Sequence, residues 1–171
     1  MWIDMSRAFV SEDRGLEQLQ VAPRAVLPAG APNWVTPGGF RLLELEHEKL
    51  GADIRNEKDV AQLTALRQMQ AELEYRLASA QIIDLASRPP AEIRFGATVR
   101  LRSEDTEQEL KIVGADEADA ATGLLSIHSP LARALLGKLP GQAVILHTDE
   151  GEEITTGIVD VRYDTDKHAP A

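Results

Sequence analysis

Three stretches in the second half of the chain decide how it folds: FGATVRL (Phe95–Leu101), IVGADEAD (Ile112–Asp119) and SPLARALLGK (Ser129–Lys138). The first leads into residues that alternate between apolar and polar, as in a β-strand with one buried face. The second predicts the end of a strand, a glycine turn and a solvated acidic loop. The third predicts a complete short helix, with Ser129 as its cap, Pro130 in its first turn and Gly137 as the left-handed residue that ends it.

The predicted short helix is explained as a structural unit, with Leu131, Leu135 and Leu136 on its buried face. That explanation does not account for His128, which precedes the cap. It also leaves Arg133 unexplained, because any good helix former would serve at that position. These two residues are therefore candidates for a binding role.

Short alternating segments surround the helix and predict a small antiparallel β domain: Thr98–Arg102, Glu109–Ile112, Ala143–His147 and Ile154–Tyr163. The run Arg88-Pro89-Pro90 marks the start of this domain, because proline ends a helix. Residues 88–171 are therefore predicted to be one unit, and the fold class is predicted to be α+β.

A helical hairpin is predicted for residues 36–87, because apolar residues recur there at spacings of three and four. Thr36 and Pro37 are good start signals for a first helix, and a second helix is predicted from Asp59 to about Gln81. Two matching stripes predict an antiparallel coiled coil: Phe40, Leu43, His47, Leu50 and Ile54 on the first helix, and Leu63, Leu66, Gln70, Leu73, Leu77 and Ala80 on the second. Residues 1–35, rich in Gly, Pro and Ala near their end, are predicted to be a flexible segment that begins at Met1 or Met5.

Composition excludes several classes of function. The 171 residues include no cysteine, which excludes disulfides and fits a reducing cytoplasm. A membrane span needs a run of about 18 apolar residues, and no segment of the sequence has one. The net charge is −10, with nine basic and thirteen acidic residues in the first 87 and nine and fifteen in the remainder. Strong direct binding of nucleic acid is therefore not expected, and a protein partner with a basic surface is favoured.

No motif indicates an independent enzyme or a metal site. The letters DEAD within IVGADEAD do not indicate a helicase, because the chain has no GxxxxGK[ST] phosphate loop. The four histidines, His47, His128, His147 and His168, do not occur at HxH or HExxH spacing. We therefore expect no metal, no cofactor and no catalytic residues.

Several motifs occur in the order and at the spacing of one known family. TPGGFRLLELEHEKL (36–50) looks like that family's opening helix and ASAQIID (78–84) like its exit from a coiled coil. The three stretches quoted first, with the closing IVDVRY (158–163), match its C-terminal domain. On these motifs, the chain from about Asn33 to Tyr163 resembles the bacterial GreA/GreB transcription elongation factors. In hairpin length it is similar to the short relatives, such as the Rnk-type regulators, and MSRAFV (5–10) resembles the opening of a GreAB-like branch.

The resemblance implies an FKBP-like fold for residues 88–171 and a cytoplasmic protein, expected to be a monomer, whose partner is bacterial RNA polymerase. It implies docking on a coiled coil beside the polymerase secondary channel. The residues implied in that docking are His128, Ser129 and Pro130, with Arg133 in the adjacent position.

The chain departs from the cleavage factors of this family at the hairpin tip. Those factors carry a tip motif of the form DLSEN, whose acids help to hold a catalytic magnesium ion, and no such string occurs here. The local acids that could imitate it are Asp53, Glu57 and Asp59, but Lys58 lies among them. The predicted first helix is about 28 Å long at 1.5 Å per residue, shorter than hairpins that deliver a tip to the active site.

Three hypotheses follow from these observations. The first is an elongation factor that binds the polymerase and modulates it or competes at the secondary channel. The second is a true stimulator of transcript cleavage with an unconventional acidic tip. The third is an FKBP-like prolyl isomerase, which the sequence favours least, because only Phe95 and Tyr163 could line an aromatic pocket in the C-terminal half.

Overall fold

The N-terminal part of the chain is a helical hairpin. The computed structural model describes residues 24–85, 92–103, 106–147 and 153–163. Helix α1 (Pro37–Asn56) and helix α2 (Val60–Ser79) are joined by three residues. Strand β1 (Asn33–Val35) precedes α1 and pairs in parallel with strand β2 (Ala80–Ile82), which follows α2, so the two strands close the base of the hairpin.

Both helices begin at the residues that the sequence predicts. The Thr36 hydroxyl accepts a hydrogen bond from the Gly39 amide at 3.0 Å, and the Asp59 carboxylate accepts one from the Gln62 amide at 2.9 Å. Each bond satisfies an amide that has no partner within its own helix. Helix α2 ends two residues before the predicted Gln81, because the chain turns extended there to pair with β1.

The predicted apolar seam lies between the two helices. Val35, Leu43, Leu50 and Leu73 form its buried centre, and Leu73 is fully excluded from solvent. Most of the other apolar residues of the two predicted stripes pack around this centre. Met69, which was not predicted, packs there as well. His47, a polar member of the first stripe, lies at the edge of the seam, with Nε2 3.4 Å from the Glu74 carboxylate.

The C-terminal part is a five-stranded sheet with one short helix. Its strands are β3 (Thr98–Ser103), β4 (Thr106–Val113), β5 (Leu124–Ser126), β6 (Ala143–His147) and β7 (Glu153–Arg162), and helix α3 spans Pro130–Leu135. The strand order is β5-β4-β3-β7-β6. The predicted α+β class is confirmed, and of the helices in the described ranges none has the length and apolar character that a membrane span requires.

The prediction of a purely antiparallel domain is wrong at one edge of the sheet. Strand β5, which was not predicted, pairs in parallel with β4. Ten residues, 114–123, carry the chain from the end of β4 to the start of β5, and six of them form two short 3-10 turns. Because these turns bring the chain back along the sheet, β5 runs in the same direction as β4.

One apolar core lies beneath the sheet, with Phe95, Leu101, Ile112 and Leu135 at its centre. Trp34 of β1 packs against this core, and its ring meets that of Phe95 edge-on, with centroids 5.9 Å apart and an angle of 69°. A side chain from the base of the hairpin therefore packs directly on the core of the sheet domain.

The prediction of a flexible segment over residues 1–35 is wrong for its last residues, which are packed against the hairpin. Residues 1–23 lie outside the described ranges. Asn33 and Val35 are 4% and 0% exposed, and the Asn33 amide donates to the Arg76 carbonyl oxygen at 2.9 Å. The Gly, Pro and Ala content suggested flexibility, but tertiary contacts with α2 hold these residues in place.

The prediction of a solvated acidic loop is wrong for Asp116 and Glu117, although Asp119 is exposed. The Asp116 side chain is only 1% exposed and pairs with Arg24 and Arg76. The Glu117 carboxylate accepts hydrogen bonds from the Thr36 amide at 2.9 Å and the Thr36 hydroxyl at 2.5 Å. Charged residues in a turn are expected to be solvated when only the sequence is known. Here the carboxylates of Asp116 and Glu117 instead join the sheet domain to the hairpin.

Gly39 makes the Glu117 contact possible. A Cβ atom at position 39 would lie 2.0 Å from the Glu117 carboxyl carbon, which is far inside van der Waals contact. Glu117 can therefore approach the start of α1 only because residue 39 has no side chain. A carboxylate in this place is stabilised by the amides and the positive end of the helix dipole.

We expect Gly39→Ala to destabilise the protein, because the added methyl group displaces Glu117 and leaves its partners at Thr36 unpaired. The loss should be on the order of 1–3 kcal/mol in the free energy of unfolding, measured by urea denaturation. Gly51→Ala in the same helix is the matched control, because the nearest atom to its Cβ is a flexible Arg55 nitrogen at 3.5 Å. That variant should gain about 0.5–1 kcal/mol from helix propensity. Equal effects of the two substitutions would contradict the role of Glu117.

Candidate partner-binding site

A tight turn presents the loop that the sequence singles out. The Ser129 amide donates to the Ser126 carbonyl oxygen at 2.9 Å, so residues 126–129 form a turn with His128 near its tip. Ile127 within the turn is 7% exposed and belongs to the sheet core, and its amide donates to the Val113 carbonyl oxygen at 2.9 Å. The buried Ile127 therefore holds the turn against the sheet, while His128 and Ser129 stay half-buried.

Helix α3 continues directly from this turn and is anchored at both ends. The Ser129 hydroxyl accepts a hydrogen bond from the Ala132 amide at 3.1 Å, which confirms the predicted cap. Gly137 has a φ of 77°, as predicted for the residue that ends the helix. Its amide donates to the Ile93 carbonyl oxygen at 2.8 Å, and the Ile93 amide donates to that of Lys138 at 2.9 Å. These bonds fix the helix, and with it the loop, to a rigid support.

The buried face of α3 differs slightly from the prediction. Ala132 and Leu135 are fully buried, whereas Leu131 and Leu136 are partly buried at the border of the core. Ala132 was missed because a small residue gives little apolar signal. Its small side chain allows the helix to pack closely on the core.

The four predicted docking residues occupy one continuous patch, which we call the α3 loop: His128, Ser129, Pro130 and Arg133. Pro130 and Arg133 are exposed. The Ser129 hydroxyl is already used as the helix cap, so its role in the loop is to fix the backbone. The side chains available to a partner are therefore the imidazole of His128, the ring of Pro130 and the guanidinium of Arg133.

The α3 loop carries a single positive charge at neutral pH. Partial burial lowers the pKa of His128 below its usual value of 6.5, and the positive charge of Arg133 lowers it further. As the pH falls towards 6.5, an ordinary histidine begins to take up a proton, whereas His128 stays neutral until the pH is lower. The loop offers a partner one guanidinium beside an uncharged imidazole and an apolar ring.

The hairpin tip, by contrast, uses its acids for its own backbone. The Glu57 carboxylate accepts hydrogen bonds from the Lys58 and Asp59 amides at 2.7 and 2.8 Å, and the Asp59 carboxylate caps α2. Asp53 is exposed in the last turn of α1, and its carbonyl oxygen accepts the Glu57 amide at 3.0 Å. In the parts of the chain that the structure describes, no group of three or more His, Cys, Asp or Glu side chains could hold a metal ion.

This arrangement defines a class of protein in which a small sheet domain carries a helical hairpin and displays a capped loop. The sequence model described as Transcription elongation factor, GreA/GreB, C-term, matches residues 88–163. The transcription elongation factor GreA of Halorhodospira halophila is 44% identical over 117 residues, which are 63% of this chain and 73% of that protein. GreA of Yersinia pestis is 39% identical over 125 residues, covering 66% of this chain and 78% of the relative.

The chain belongs to the GreA/GreB transcription elongation factor family. Among solved structures, a prokaryotic transcription elongation factor GreA/GreB from Nitrosomonas europaea aligns with 76% of this chain and 98% of its own, at 26% identity and a TM-score of 0.41.

The electrostatics of the α3 loop predict a specific titration. The imidazole of His128, followed by NMR, should titrate below 6.5, and Arg133→Gln should raise its pKa without restoring the usual value, because burial remains. The unfolded chain takes up this proton first as the pH falls through 6.5, so stability should decrease from there down to the folded pKa. A pKa of His128 that does not respond to Arg133→Gln would contradict the electrostatic effect of Arg133 on the imidazole.

Proposed function

We propose that this protein binds bacterial RNA polymerase at the secondary channel and modulates it, or competes with other factors there, rather than stimulating transcript cleavage. The proposal has two parts, docking and the absence of cleavage. Membership of the GreA/GreB family supports the first part, because its members bind bacterial RNA polymerase. The state of the hairpin tip supports the second.

The α3 loop is the proposed docking surface. Its backbone is held at Ile127 and at both ends of α3, so the loop is preorganised and loses little conformational entropy on binding. Its guanidinium and exposed proline ring suit a protein surface with acidic and apolar groups.

The hairpin tip carries the proposal that cleavage is not stimulated. Two-metal cleavage needs carboxylates that are free to hold an ion at the reaction centre. Here Glu57 and Asp59 are engaged by backbone amides, and Lys58 adds a positive charge beside them. The tip residues therefore do not fit a magnesium ion, and α1, with 20 residues, reaches about 30 Å at 1.5 Å per residue.

Cleavage through an unconventional tip remains the second candidate, since Asp53 is exposed and could act with Glu57 after rearrangement of the tip. Family membership offers no support for a prolyl isomerase. The protein is proposed to act as a cytoplasmic monomer with no catalytic activity of its own and no strong direct contact with nucleic acid, consistent with its net charge of −10.

Replacing Pro130 by Arg should weaken polymerase binding about tenfold or more, the equivalent of about 1.4 kcal/mol, because a second long cation would crowd the loop beside Arg133. Binding to core polymerase can be measured by fluorescence anisotropy. Pro140→Arg makes the same change at an exposed turn beyond the other end of α3 and should bind like the unchanged protein. If both variants bind equally while remaining folded, the docking surface lies elsewhere.

This protein alone should release no RNA from a backtracked elongation complex at magnesium concentrations where a GreA factor stimulates cleavage by the polymerase. Added to a reaction with GreA, it should inhibit cleavage as its concentration rises, because both would occupy one site. Gel analysis of the transcript measures both effects. Robust cleavage that is lost in Asp53→Ala or Glu57→Ala would establish the second candidate instead.

A further inference from the structure

Arg24 and Ala25 contact three elements that are distant from one another in the chain. The guanidinium of Arg24 donates to the Asp116 carboxylate at 3.0 Å and also binds the Glu46 carboxylate on α1. The Ala25 carbonyl oxygen accepts a hydrogen bond from Arg76 on α2. Two consecutive residues therefore link the acidic turn, α1 and α2.

Asp116 is the point at which these contacts meet. One of its oxygens accepts from Arg24 and the other from Arg76 at 3.3 Å. The side chains of Asp116 and Arg76 are 1% and 5% exposed. A carboxylate removed from water in this way is tolerated only when it is paired and hydrogen-bonded, so losing one arginine would leave it poorly satisfied.

The acidic turn contacts the base of the hairpin at two places through neighbouring residues. Glu117 binds Thr36 at the start of α1, and Asp116 binds Arg76 near the end of α2. Both contacts lie close to the junction between the hairpin and the sheet domain. Contacts so near the pivot of a long arm resist its tilting only weakly.

Arg24 adds a contact farther along the arm. Glu46 is nine residues beyond the start of α1, about 13 Å along the axis at 1.5 Å per residue. The planar guanidinium can hold Glu46 with one nitrogen and Asp116 with another, which a point charge such as the Lys ammonium does less well. Because the contact at Glu46 lies farther from the junction than the two contacts at the base of the hairpin, it opposes tilting of α1 more effectively than either of them.

We propose that Arg24 and Ala25 form a strap that fixes the tilt of the hairpin relative to the sheet domain. The strap therefore decides where the hairpin tip lies with respect to the α3 loop. This inference concerns the geometry of the free protein and does not depend on polymerase binding.

The chain contains no cysteine, so two introduced cysteines can be labelled without interference. Asn56→Cys at the tip and Gln108→Cys on β4 place spin labels at exposed positions on the two parts of the molecule. Pulsed electron paramagnetic resonance of this pair should give one narrow distance distribution. A tilt of about 10° would move the end of an arm of about 30 Å by about 5 Å, a displacement that this method resolves.

In this doubly labelled background, Arg24→Ala should broaden or displace the distribution. Glu46→Ala should do the same with little change in thermal stability, because the Glu46 side chain is 44% exposed and leaves the Arg24–Asp116 pair intact. Arg67→Ala removes an exposed arginine from α2 and is the matched control, for which we expect the unchanged distribution.

A strap that serves stability alone gives a different result. Arg24→Ala would then lower the melting temperature while the distances in Arg24→Ala and Glu46→Ala stay those of the unchanged protein, and the proposal would be overturned. If Arg24→Ala does not fold, Glu46→Ala decides by itself. No polymerase is present in these samples, so failure of the strap is distinguishable from failure of the proposed docking.

Discussion

The contact between Glu117 and the start of α1 is the interaction on which the joining of hairpin and sheet domain depends. It satisfies the Thr36 amide and hydroxyl with a carboxylate from a turn 81 positions later in the chain, and it places a negative charge at the positive end of a helix. The approach is close enough that residue 39 must lack a side chain. A helix end is thereby completed by another part of the fold, so hairpin and sheet domain are held together by hydrogen bonds as well as by the packing of Trp34 on Phe95.

Carboxylates perform different tasks in the two halves of the molecule. In the acidic turn, Asp116 and Glu117 join elements that are distant in the chain, and the buried Asp116 depends on its arginine partners. At the hairpin tip, Glu57 and Asp59 accept hydrogen bonds from amides one to three residues farther along the chain and shape the connection between the two helices. An acid that caps its own backbone is less available to an external ion. The acids of the acidic turn therefore serve contacts between distant elements, whereas those of the tip serve the local backbone.

The α3 loop is a surface segment whose backbone is held in place by a rigid support. None of its members is unusual by itself. Ile127 is buried ahead of the loop, Ser129 caps the helix, and Gly137 allows the chain to return to Ile93. With the backbone held at these points, His128 and Arg133 come close enough for the guanidinium to lower the pKa of the imidazole. The position of the loop on the sheet thus determines its charge.

The sequence by itself determined the features that depend on neighbours a few residues apart. Helix caps at Thr36 and Ser129, the start of α2 near Asp59, the end of α3 at Gly137 and most of the hairpin seam could be predicted, because propensity and periodicity act locally. The motif order also predicted the family. Only the tertiary structure decided the parallel pairing of β5, the ordered placement of residues 24–35 and the distant partners of Asp116 and Glu117. Each of these depends on groups far apart in the chain, since a charged turn or a Gly- and Pro-rich segment looks solvated until its distant partner is known.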